Sequence, residues 1–85
     1  MKQFQYVLKI KMGIHARPAA LLADRARFSG TKVTVECNGL SADGSKVMEL
    51  MNLKAKKEDT VLVTVEGEGE ELVAEQLEKL FKENF

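Results

Sequence analysis

The chain of 85 residues has one cysteine, one proline, one histidine and no tryptophan. A lone thiol, Cys37, cannot close an internal disulfide. One histidine and one cysteine are also too few to complete a four-ligand zinc site, so neither a metal nor any other cofactor is expected. No apolar stretch approaches the ~20 residues of a membrane helix, so membrane insertion by a helix is not expected. The opening MKQFQYVLKIKMG alternates apolar with polar residues and lacks the continuous apolar region of a secretory signal, so a cytoplasmic protein is expected. Net charge is zero, with 13 basic and 13 acidic residues, and 6% of residues are aromatic. A dedicated nucleic-acid binder usually shows a basic surplus and exposed rings for stacking, and this chain has no surplus and few rings to expose. The length leaves room for one domain and no separate catalytic lobe.

What is present is an ordinary folding composition, 45% apolar and 31% charged, with the charge segregated along the chain. Residues 1–32 hold seven basic and one acidic residue, whereas 58–85 hold two basic and nine acidic. A basic first third suits a phosphate or an acidic protein surface.

Apolar periodicity divides the chain. Phe4, Tyr6, Leu8 and Ile10 alternate with other residues and predict a first strand with one buried face. After Gly13, the spacing of Ala19, Leu22, Ala23 and Ala26 predicts a helix ending near Ser29-Gly30. Val33, Val35 and Cys37 mark a second strand, and Asn38-Gly39 predicts a two-residue hairpin into a third strand at about Leu40 to Asp43. Gly44-Ser45 then leads into VMELMNL, a short helix with Ser45 as N-cap and Val47, Leu50 and Met51 inward. Val61, Val63 and Val65 define a fourth strand over Thr60 to Glu66, stopped by the glycines of EGEGEE. From Glu70, residues Leu72, Val73, Gln76, Leu77, Leu80 and Phe81 predict the last helix, its acids near the start and Lys79 and Lys82 near the end, the sense that suits the helix dipole. The order β-α-β-β-α-β-α implies a two-layer α+β domain, an antiparallel sheet covered on one side.

The chemistry concentrates in Gly13-Ile14-His15-Ala16-Arg17-Pro18-Ala19-Ala20. Pro18 has no N–H and is tolerated in a first helical turn, which starts the helix at about Ala16 and puts His15 at the N-cap or one residue from it. Such a start presents unpaired N–H groups and roughly half a positive charge, a place for an anion. Arg17 adds a fixed cation. Neutral imidazole is a competent nucleophile near neutral pH, so His15 is placed to attack phosphorus and Arg17 to hold the resulting phosphoryl group. Phosphoryl transfer depends mainly on positioning and electrostatics, and a partner enzyme can supply the rest. On spacing alone His15 is equally readable as a loop histidine and Arg17 as a solvated charge. Cys37, on the buried face of its strand, reads as core.

The segment GIHARPAA resembles the phosphorylation motif of the histidine-containing phosphocarrier family, HPr, of the bacterial phosphoenolpyruvate-dependent sugar phosphotransferase system. The resemblance extends through the order of elements, the Asn38-Gly39 turn, the VMELM helix and the acidic EGEGEE stretch, and makes residues 1–85 a single HPr-like domain. It implies an open-faced β-sandwich of four antiparallel strands with three helices on one face. It also implies a carrier rather than an enzyme. His15 would take phosphate on Nδ1 from phosphorylated enzyme I and donate it to enzyme IIA domains of sugar permeases; Ala16, Arg17 and Pro18 share the motif, and Arg17 assists the transfer.

The resemblance further implies an apolar partner surface, matched here by Ala20, Val47, Met48 and Met51, with Met48 the most exposed of them. A flexible, polarizable methionine suits a surface that must fit several partners. Many relatives carry a regulatory serine where this chain has Lys46. Ser45 lies one residue early and is read as a cap rather than a regulatory phosphosite. Asp24, Lys46, Glu49 and Lys54 alter the charge around the contact surface, which leaves a regulatory phosphorelay with other protein partners as the alternative to sugar uptake. A monomer is expected.

Overall fold

Alternating apolar residues do form strands, and the stripes between them form helices, in a computed structural model describing residues 1–85. The elements are β1 (Lys2–Val7), α1 (Ala16–Ser29), β2 (Lys32–Cys37), β3 (Leu40–Asp43), α2 (Val47–Asn52), β4 (Thr60–Glu66) and α3 (Glu70–Asn84). The strands make one antiparallel sheet in the order β1-β4-β2-β3. The β2–β3 hairpin turns on Asn38 at φ 53° and Gly39 at φ 80°, the two positive values that a tight hairpin turn requires.

Central β4 sets the core. Val61, Val63 and Val65 are fully buried on the face covered by the helices, and Val33 and Val35 of β2 pair with Val65 and Val63 beside them. Phe81 of α3 reaches the same layer. Its ring centroid lies 5.9 Å from Phe4, 5.6 Å from Tyr6 and 4.9 Å from Phe85, within the range where offset and edge-on aromatic pairs attract. The opposite face of the sheet carries Gln5, Thr34 and Glu36, and its one buried residue, Thr64, accepts a 3.1 Å hydrogen bond from Gln3 Nε2. This is an open-faced β-sandwich, one layer of sheet and one of helices.

Four details depart from the sequence reading. The first strand stops at Val7, because β4 offers no partner before Thr60; Leu8 stays fully buried, but Ile10 is exposed and its N–H turns to the Phe85 carbonyl at 3.0 Å. On α3, Leu72 and Gln76 face solvent, and the buried stripe is Val73, Ala74, Leu77, Leu80 and Phe81. Ser45 is not a cap. Lys46 holds that position, and the Ser45 hydroxyl and N–H both donate to Asp43 Oδ1, at 2.7 and 2.9 Å, so the aspartate captures the serine before the helix can use it. Of the three residues expected to face inward on α2, only Leu50 is buried; Val47 is half-buried and Met51 exposed.

Candidate functional site

Gly13 fixes the approach to the site. It sits at φ 61°, and a Cβ there would overlap the Ala55 carbonyl oxygen, so only glycine fits. The next residue donates from Ile14 N to that same oxygen at 3.2 Å and buries its side chain. The loop is thereby pinned to the segment that follows α2.

His15 follows in extended conformation, φ −128° and ψ 171°, as N-cap of α1, and its carbonyl accepts from Ala19 N at 2.9 Å. Pro18 is buried and contributes no donor, so the unpaired amides of the first turn are those of Ala16 and Arg17. No side chain caps them and no acid lies in the turn. Arg17 is exposed and joins none of the ion pairs in the fold. Four motif residues therefore assemble as the spacing implies: a half-buried imidazole, two open amides, a proline that sets the start and an uncommitted guanidinium.

The imidazole is oriented. Nδ1 lies 3.0 Å from the Gly13 carbonyl oxygen. A carbonyl only accepts, so this contact places the proton on Nδ1 and leaves the lone pair on Nε2. Attack by Nδ1 requires the ring to turn off Gly13 and the proton to move to Nε2.

His15, Arg17, Pro18, Leu21, Asp24 and Asn84 line a cleft of about 410 Å³. Asn84, the last residue of α3, was invisible to the sequence reading; it arrives because the end of α3 packs beside the start of α1, a tertiary contact without a local signature. Asp24, also a wall residue, is paired with Arg27, whose Nη1 donates to the Ser45 carbonyl at 2.9 Å. That guanidinium ties α1 to the residues leading into α2.

The remaining sequence candidates lie apart from the cleft. Ala20 is on α1, and Val47, Met48 and Met51 are on the adjoining α2; none lines the cavity. Met48 is 72% exposed, a large apolar side chain in water. Asp43, beneath α2, is held below the usual carboxylate range by the hydrogen bonds from Ser45 and further by Lys46 and Lys32. Cys37 is buried, and burial pushes its thiol up, with the charge of Asp59 adding to the effect. It is not among the residues around His15. No group of three or more His, Cys, Asp or Glu residues is arranged to hold a metal ion, and no helix is long and apolar enough to cross a membrane.

An open antiparallel sheet that presents a single histidine at the start of a helix, facing a cation and two free amides, defines a class of small α+β histidine phosphocarriers. Comparison with known proteins gives the particular family. Residues 2–83 match the family model of the PTS HPr component phosphorylation site. The chain is 31% identical over 82 residues to the phosphocarrier protein HPr of Borreliella burgdorferi, covering 96% of this chain and 95% of that one. It is 36% identical over 72 residues to HPr of Mycoplasma genitalium, covering 84% and 82%. HPr-C-His from Thermoanaerobacter tengcongensis superposes with a TM-score of 0.89 at 30% identity, covering 96% of this chain and 92% of that one. The chain belongs to the HPr phosphocarrier family of the phosphotransferase system. Two further likenesses are to the HPr-like protein Crh of Halalkalibacterium halodurans, 31% identical over 77 residues, covering 91% of this chain and 92% of that one, and to an HPr dimer from Thermoanaerobacter tengcongensis, TM-score 0.75 at 30% identity, covering 98% and 95%.

Proposed function

We propose that His15 accepts a phosphoryl group from phosphorylated enzyme I and passes it to enzyme IIA domains of sugar permeases, in the cytoplasm, with this chain acting as a carrier and not as an enzyme. The observation that carries the reading is the family match over residues 2–83 together with the open cleft at His15. In acceptance, an imidazole lone pair forms the N–P bond as the donor's P–N bond breaks, and the His15 ring proton ends on the nitrogen released by the donor. The attacking atom is Nδ1, after the ring turns away from Gly13. The incoming group carries close to two negative charges, and the amides of Ala16 and Arg17 with the Arg17 guanidinium supply charge-assisted hydrogen bonds to it. Pro18 sets the helix start that aims those amides.

Ala20, Val47, Met48 and Met51 provide the docking surface for both partners, and the chain works as a monomer. Incubation with phosphoenolpyruvate, magnesium and enzyme I is expected to give one acid-labile phosphoryl group, transferable to a IIA domain. Label on the His15→Ala variant refutes the assignment.

A second reading, regulation by binding to another protein, is favoured by the likeness to Crh, which in Bacillus subtilis bears the name catabolite repression HPr. Equal capture of the same partner by phosphorylated and unmodified chain, with no transfer to any IIA domain, would select it. On either reading a phosphoryl group on Ser45 would stand against the Asp43 carboxylate that its hydroxyl now bonds, and that like-charge contact weighs against Ser45 as a regulatory phosphosite.

A further inference from the structure

The surface assigned to the partners is divided between two helices, Ala20 on α1 and Val47, Met48 and Met51 on α2. Its shape depends on where α2 sits, and α2 has little to hold it there. Its six residues fall well short of the ~12–15 below which an isolated helix is marginal in water. Only Leu50 is buried, and no side chain caps the N-terminus. Polar ties supply the rest. From β3, the Asp43 N–H donates to Glu49 Oε1 at 2.9 Å. From α1 the tie is Arg27, whose Nη1 donates to the Ser45 carbonyl at 2.9 Å while its Nη2 donates to Asp24 Oδ1 one turn back. Ser45 is itself anchored, since its N–H and hydroxyl both donate to Asp43. The guanidinium therefore connects α1 to a fixed entry into α2.

We infer that Arg27 is a positioning residue: by bridging Asp24 and the Ser45 carbonyl it locks α2 against α1, so that Val47, Met48 and Met51 meet a partner in fixed register with Ala20. This deepens the carrier reading and rests on the docking surface assigned there. An exposed ion pair between neighbours on one helix contributes little to stability by itself. Here the Asp24 carboxylate serves to aim a second bond. A planar guanidinium with one nitrogen held presents the other in a set direction, and a charged donor bonds a carbonyl more strongly than a neutral one. A lysine ammonium, a single nitrogen on a flexible stem, has no second nitrogen to aim.

Residual dipolar couplings test the clamp on the chain alone, because the amides of α2 report its direction relative to those of central β4. In Arg27→Gln the α2 couplings are expected to depart from the parent orientation while the β4 couplings, which certify the fold, still fit it. Arg27→Lys keeps a cation beside Asp24 but has one nitrogen for two acceptors, and its α2 is expected to depart as well. The partner readout is phosphorylation by enzyme I with phosphoenolpyruvate. Arg27→Lys is expected to raise the KM for this chain about fivefold and to leave kcat within about twofold, the signature of lost docking and intact chemistry. Couplings of α2 that fit the parent orientation in Arg27→Gln overturn the proposal, and so does a displaced α2 that leaves KM unchanged. A fall in kcat at constant KM in Arg27→Lys would assign Arg27 to the chemistry and overturn it too. If enzyme I fails to label even the parent chain, the carrier reading fails, while the couplings still decide whether Arg27 locks α2.

Discussion

Replacing Gly13 by alanine isolates how tightly the histidine loop is fixed. Two costs add. A residue with a Cβ at φ 61° occupies the left-handed region, a penalty of about 1–2 kcal/mol. The new methyl would also overlap the Ala55 carbonyl oxygen and lie against the backbone of Lys56, and forcing atoms into a closed contact costs a further ~1–3 kcal/mol. Gly39 provides the internal standard, since it has φ 80° but no heavy atom within 4 Å of the place a Cβ would take, so its alanine variant carries the first cost alone. Urea unfolding of the two variants should therefore separate them, Gly39→Ala losing about 1–2 kcal/mol and Gly13→Ala about 2–5 kcal/mol. In a chain of this size each kcal/mol lowers the melting temperature by roughly 4–8 °C, so calorimetry gives an independent reading. The Gly13 carbonyl also anchors Nδ1 of His15, so nitrogen NMR of the imidazole should report a redistribution of its tautomers in Gly13→Ala and none in Gly39→Ala. Equal destabilisation of the two variants would refute the packing argument.

Other outcomes follow from the same packing and hydrogen bonds. Phe81→Ala empties the centre of an aromatic cluster and should cost about 3–5 kcal/mol, measured by chemical unfolding. Ser45→Ala removes the hydroxyl that donates to Asp43. Because the folded Asp43 carboxyl lies below its ordinary value, its contribution is present above the unfolded value near ~3.9 and lost as pH falls through the folded one; the variant should show a shallower loss of stability on that acid limb. Cys37, buried with its thiol pushed up, should react with a thiol reagent at pH 8 only as fast as the sheet opens, so addition of urea should accelerate labelling steeply.

Much of this molecule is written in local pattern. The turn of β2 into β3 needs positive φ twice, and Asn38-Gly39 is the pair that supplies it, so both strands and their register were readable. The start of α1 was readable for a similar reason, since Pro18 admits few backbone solutions. Ile10 misled because alternation tells which face a residue would take and not where the partner strand ends. Ser45 misled because two acceptors compete for its hydroxyl, the helix it precedes and the Asp43 carboxylate, and the sequence does not rank them. Asn84 was absent from the reading altogether, since it enters the cleft through helix packing across some seventy residues of chain.

The segregated charge acquires meaning only in three dimensions. Seven basic residues in the first third suit a phosphate or an acidic protein surface, yet one of them, Arg27, is paired with Asp24 and turned toward the Ser45 carbonyl. The cation left open beside His15 is Arg17, one full charge at the positive end of α1. An exposed charge of this kind is screened over about 10 Å at 0.1 M salt, so it acts on a group bound at His15 far more than on a partner still approaching. Salt should accordingly weaken encounter with partners only modestly, whereas Arg17→Ala should impair the transfer step itself at every ionic strength. Measuring transfer between 20 mM and 500 mM salt in both forms distinguishes the roles. Parallel curves, offset by a constant factor, are expected, and curves that converge at high salt would assign Arg17 to long-range steering instead.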